Sequence, residues 1–186
     1  MRNMLKKLGR NDFDLDIPEQ VILKKDDVRE VLNNMLMALG SFRLDILSHE
    51  LEKLKFTLSP KEFALEVLLP LLQEVGIRVE NGSLTIVQEH ALSSIIKFHI
   101  GHIIYKKVQV KSVNPNLIAL STPEGDYHEF GIMLSSLLCC HYDLNFFYIG
   151  PNMPWDALVA ATKSLGINIL VVGTKDILVP KKLDLD

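Results

Sequence analysis

Between Leu117 and Val172 the chain alternates short apolar runs with helical patterns. The runs are Leu117 to Leu120, Leu144 to Ile149 and Ile169 to Val172; the helices lie at about His128 to His141 and at Trp155 to Leu165. Strands separated by helices at this spacing pair in parallel, because each return crossing is made by a helix. With 186 residues, 48% of them hydrophobic, the chain has enough apolar surface to bury a core on such a sheet. Parallel sheets bind their ligands at the carboxyl ends of the strands. The loop after the first run, Ser121-Thr122-Pro123-Glu124-Gly125-Asp126, is therefore where chemistry is expected.

The region before it reads as helical. Val28, Val31, Leu32, Met35 and Leu39 recur at helical spacing and stop near Gly40, and Leu44, Leu47, Leu51 and Leu54 form the next stripe. Ser59-Pro60-Lys61-Glu62 opens a third helix with a serine cap, a first-turn proline and a glutamate able to reach back. Phe63, Val67, Leu68, Leu71, Leu72 and Val75 supply its apolar face, and Pro70, which lacks an amide donor, predicts a kink there. After the turn Asn81-Gly82-Ser83 a fourth helix is predicted from about Thr85 to Ile104, with Ile86, Ala91, Ile95, Ile96, Ile100 and Ile103 among its apolar positions. Four such helices make a bundle. Val108, Val110 and Val113 alternate before Asn114-Pro115 as an extended connection. The expected organisation is a leader over 1–24, a helical bundle over 25–105 and an α/β domain over 106–186. The leader begins basic (Arg2, Lys6, Lys7, Arg10) and turns acidic (Asp12, Asp14, Asp16).

Several function classes fall away. A net charge of −3 supplies no broad basic field for nucleic acid. Neither a secretory h-region nor an apolar run of about 18 residues occurs, so membrane spanning is not expected and the cytoplasm is the expected compartment. The adjacent Cys139 and Cys140 suit neither a disulfide nor a metal cage and read as core residues, and Trp155 reads as a packing residue at a helix start. His99 and His102 share a helical face at metal-ligand spacing, but no third ligand is close in sequence, so zinc is not expected. Gly-x-Gly-x-x-Gly and phosphate-loop patterns are absent, which argues against nucleotide chemistry.

What remains is the handover from first strand to first helix, Asp126-Tyr127-His128-Glu129-Phe130-Gly131. There the His128 imidazole projects from the sheet edge as a neutral donor to a soft or borderline metal, with its other nitrogen left for a partner. Asp126 is the candidate partner, since a carboxylate on the ring N–H fixes the tautomer and makes the imidazole more basic. Gly131, lacking a β-carbon, allows a bulky group to approach the helix.

The Asp-x-His-x-x-Gly spacing in a βα loop resembles the signature of cobalamin-binding domains, such as those of methionine synthase, the corrinoid methyl carriers and certain mutases. The resemblance implies a Rossmann-like, flavodoxin-like sheet domain with His128 as the lower axial ligand of cobalt, Asp126 as its hydrogen-bond partner and Gly131 as the close-packing position. Upstream, the stretch from Val79 to Glu89-His90 resembles the Trp-x9-Glu-His pattern of light-responsive, cobalamin-dependent regulators of the MerR type, with valine in place of the tryptophan. By that resemblance Val79, Glu89 and His90 face the upper ligand of an adenosyl- or methylcobalamin. Ser121 to Gly125 and Gly150-Pro151-Asn152-Met153-Pro154 resemble loops facing the corrin, which adds Ser121 to the cofactor-binding set. The family's Ser-x-Leu after the third strand falls near Gly173-Thr174-Lys175, where Thr174 offers the hydroxyl.

The resemblance covers roughly residues 25–173. A complete domain of this type needs on the order of 40 more residues, so the α/β part is expected to be truncated at its C-terminal end. The function implied is a non-enzymatic cobalamin-binding sensor module without the DNA-reading domain of roughly 60–70 residues. It would work as a homo-oligomer or beside a longer regulator, without contacting nucleic acid or membrane itself. The alternatives are a corrinoid methyl carrier and an interaction module that has lost the cofactor.

Overall fold

The computed structural model describes residues 25–108 and 114–175. The leader at 1–24, Val110 and Val113 of the extended connection, and residues 176–186 lie outside the described residues. Four helical stretches come first. They are α1 (Lys25–Gly40), α2 (Leu44–Thr57), a third that starts as α3 (Pro60–Glu62) and ends as α4 (Leu69–Glu80), and α5 (Ile86–Val108). The sheet part comes next as β1 (Leu117–Pro123), α6 (Phe130–His141), β2 (Asn145–Met153), α7 (Trp155–Leu165) and β3 (Ile169–Val172). The chain is thus α/β with an all-α first part.

Local signals set the helix starts. The Ser59 hydroxyl accepts from the Glu62 amide at 3.3 Å, and the Ser59 amide donates to the Glu62 carboxylate at 2.9 Å, a reciprocal cap of two otherwise orphan donors. Thr85 and Gln88 repeat the device before α5, the Thr85 amide donating to Gln88 Oε1 at 2.8 Å. The buried Gln88 amide then donates to the carbonyls of Leu39 and Gly40, so the start of α5 closes the end of α1. Just upstream of Pro70, where a kink is expected, the third helix widens into a π-helical stretch, Phe63–Leu68. Proline has no amide to donate and its ring presses on the preceding turn; widening that turn lets the chain continue into α4.

Met35, Leu39, Leu47, Leu51, Phe63, Leu68, Leu71, Leu92, Ile96 and Ile100 form the buried centre of the bundle. Met133 and Leu137 of α6 belong to the same cluster, whereas Ile132 and Cys139 of α6 join Ile118, Leu120 and Phe146 over the sheet. The sheet is parallel with order β2-β1-β3, and β1 is buried along nearly its whole length. That order places the ends of β1 and β3 side by side at the point where an open α/β sheet forms its binding crevice. Cys139 is buried and Cys140 half-buried, both as free thiols, and burial pushes the Cys140 thiol up to about 11. Trp155, expected to pack, stands exposed at the first position of α7.

Because Leu137 is fully buried in the bundle core from the sheet side, Leu137→Ala should destabilise the chain by about 2–5 kcal/mol. Urea unfolding of the two proteins measures this directly.

Candidate functional site

The carboxyl end of β1 turns through Gly125, which has the positive φ of 86° that glycine tolerates. One carboxylate, that of Asp126, organises the loop between this turn and α6. Asp126 Oδ1 accepts from the His128 amide at 2.8 Å and lies 2.9 Å from His128 Nδ1, while Oδ2 accepts from the Lys175 amide at 2.9 Å. The Lys175 contact ties the end of β3 to the β1 loop. The backbone amides of His128 and Lys175, then the His128 ring, pull the Asp126 carboxyl down to about 2. Its side chain is only 12% exposed, yet the His128 ring beside it is 64% exposed. An ionised partner at Nδ1 holds that nitrogen as the donor, leaving Nε2 as the lone-pair nitrogen on the far side of an open ring.

The loop is braced from β2. Asn152, in the left-handed region at φ 59°, accepts the Gly125 amide on its side chain at 2.8 Å and donates to the Tyr127 hydroxyl at 3.0 Å. Its backbone amide reaches both Thr122 Oγ1 at 2.8 Å and the Asp126 carbonyl at 3.1 Å, and the Thr122 hydroxyl donates to that same carbonyl. Ser121, fully buried, donates to the Gly150 carbonyl at 2.9 Å, so it acts within the sheet edge and presents no hydroxyl at the surface. Gly131 sits exposed on the first turn of α6, and a β-carbon added there would meet nothing within 4 Å.

On the bundle side, the Glu89 carboxylate contacts His90 Nδ1 and accepts from Ser93 Oγ at 2.6 Å. The Glu89 side chain is 31% and the His90 side chain 75% exposed. Glu89, His90, Ser93 and Lys97 fall on one flank of α5 by helical periodicity. Lys97 joins that flank to the sheet part, its Nζ lying 2.5 Å from Glu129 Oε1, and the Tyr148 hydroxyl on β2 donates to Glu129 Oε2 at 2.7 Å. Burial opposes ionisation of Glu129, but the hydrogen bonds from Lys97 and Tyr148 outweigh it and leave the carboxyl below its ordinary value. Burial and the same carboxylate push the Tyr148 phenol well above its usual range.

Asp126 and His128 therefore pair just before α6, on whose first turn Gly131 lies, and the Lys97–Glu129 contact ties the α5 flank to the residue that follows His128. Val79 differs: it is half-buried against the bundle core. Thr174 is exposed at the end of β3, next to Lys175. Gly173 packs so closely that a β-carbon there would lie 2.8 Å from Ile132 Cγ2. Sequence reasoning missed Lys97, Glu129, Tyr148 and the bracing role of Asn152. Asn152 carried a signal in its Gly-Pro-Asn-Met-Pro setting; the Lys97 contact spans 32 positions and carried none.

With this geometry in place, comparison with known proteins separates the two parts of the chain. Residues 23–104 match the B12 binding domain family. That family model covers the bundle, including Glu89 and His90, and agrees with the resemblance to cobalamin-binding proteins read from the sequence; the His128 loop lies beyond it. The chain is 27% identical over 132 residues to the HTH-type transcriptional repressor CarH of Myxococcus xanthus, an alignment covering 71% of this chain and 43% of the repressor. The chain thus spans less than half the length of that relative. Among solved structures it is similar to a novel cobalamin-binding protein from Desulfitobacterium hafniense DCB-2, with TM-score 0.36 and 18% identity, covering 77% of this chain and 68% of the other. Among the described residues, no helix is long and apolar enough to cross a membrane.

Asp126 has a folded value depressed from 3.8 to about 2. Its contribution to stability is present in full above the unfolded value and is lost as pH falls through that window. Urea midpoints followed from about pH 5 to about pH 2 should fall more steeply for the wild type than for Asp126→Asn.

Proposed function

We propose that this chain is a cobalamin-binding sensor module related to the C-terminal half of MerR-type regulators, with His128 as the lower axial ligand of cobalt. The observation that carries the reading is an exposed imidazole at the carboxyl end of the central strand whose Nδ1 is held by an ionised aspartate. The donor chemistry fits a borderline metal, because a neutral imidazole ligates through the nitrogen opposite its second-shell partner. The open side of Gly131 leaves the start of α6 approachable.

Cobalamin, when bound, supplies a cobalt centre with exchangeable axial ligands. The chain's own residues do the rest. Asp126 fixes the His128 tautomer and resists protonation, Asn152 and Thr122 hold the loop on β2, and Ser121 and Thr174 stand at the strand ends. Glu89 and His90 would face the bound cobalamin from α5, with Val79 packed on the bundle core at the end of the helix before them; the bound form would be adenosyl- or methylcobalamin. Lys97 and Glu129, which tie α5 to the start of α6, would be the contact through which occupancy changes the seating of the bundle on the sheet and the surface open to a second copy or a longer regulator. The cobalamin-sensing role is itself non-catalytic and belongs to the cytoplasm. A corrinoid methyl carrier would use His128 in the same way; the paired Glu89 and His90 favour the sensor.

Purified protein mixed with methyl-, hydroxo- or adenosylcobalamin and then desalted should keep the corrinoid colour. The absorbance spectrum should differ between wild type and His128→Ala, and Asp126→Ala should weaken retention by roughly 10–100-fold. Loss of all colour from the wild type on desalting would sink the reading.

A further inference from the structure

A second cluster of reactive side chains lies on the other flank of α5. Ser48 and Glu52 stand one turn apart on α2, and His99 reaches across from α5 to both. His99 Nε2 is 3.3 Å from Ser48 Oγ, and His99 Nδ1 is 3.0 Å from Glu52 Oε2. The tautomer that satisfies both neighbours carries its hydrogen on Nδ1 and leaves Nε2 to accept the serine proton. The three side chains line a cleft of about 220 Å³, whose walls include Ile95 and Phe98. The serine is therefore not sealed behind the histidine.

We propose that this cleft is an acyl-transfer site, with Ser48 as nucleophile, His99 as general base and Glu52 as the residue that orients the base. The order hydroxyl, imidazole, carboxylate is the one that nucleophilic acyl chemistry requires, and it is recognised by geometry rather than by place in the sequence. Burial, followed by the charge of Lys55, holds the His99 imidazole below its ordinary value, so it is unprotonated near neutrality. The hydrogen bond from Lys55 holds the Glu52 carboxyl low and ionised. Lys55, with its side chain 5% exposed, is the buried cation beside the cleft and the group placed to favour negative charge there. The volume suits a small acyl ester whose apolar part rests on Ile95 and Phe98.

In the first half, Ser48 Oγ bonds to the acyl carbon as its proton passes to His99 Nε2. The ester C–O bond then breaks and the leaving alcohol takes that proton. In the second half, water attacks the acyl carbon and gives a proton to His99. The bond to Ser48 Oγ breaks, the serine recovers its proton, and the carboxylic acid departs.

The test treats the full chain with a fluorophosphonate probe, maps the adduct by peptide mass spectrometry, and follows p-nitrophenyl acetate hydrolysis. The wild type should carry the adduct on Ser48. Ser48→Ala should lose the adduct and most of the hydrolysis while melting at the wild-type temperature and retaining cobalamin like the wild type. Glu52→Gln should slow hydrolysis about 100-fold, the lower end of what positioned acid–base groups supply. Absence of an adduct on Ser48, or wild-type hydrolysis by Ser48→Ala, overturns the proposal.

Discussion

The structure depends on the double burial of α6. This helix is apolar on two flanks: Met133 and Leu137 are buried in the bundle core, and Ile132 and Cys139 in the layer over the sheet. A helix packed on both sides has little freedom to roll or slide, since interiors are close-packed and register shifts open cavities. The loop that precedes α6 inherits this rigidity. His128 and Asp126 are thus set by hydrophobic packing several residues away as much as by the hydrogen bonds around them.

On that frame, two sets of polar contacts bear on the candidate site. Asp126 joins the ends of β1 and β3 by accepting amides from both loops, which stabilises the anion where the strand order opens a crevice. Glu129 joins the bundle to β2 through Lys97 and Tyr148. The first holds the loop of His128 against the end of β3; the second ties the α5 flank to the residue that follows His128.

Much of this was legible in the sequence, for identifiable reasons. The helices declare themselves by periodic leucines and by the Ser59 cap, and the parallel sheet by alternating element types, because both patterns are local consequences of backbone geometry. The pairing of Asp126 with His128 was legible too, being a contact between residues two apart. What stayed hidden depends on residues distant in sequence. Lys97 with Glu129, Asn152 with Gly125 and Ser48 with His99 each join elements whose relative placement only the folded chain fixes. The π-helical stretch was half legible: Pro70 announced a disturbance, but the packing of Phe63, Val67 and Leu68 in the bundle core decided where it would be absorbed.

The tight meeting of Gly173 and Ile132 bears on how such a chain can drift over generations. With 2.8 Å between a β-carbon at one position and a branched methyl at the other, bulk gained on the third strand's exit must be accommodated on the helix. A serine at 173 would therefore require the Ile132 side chain to move aside or to be replaced by a smaller one.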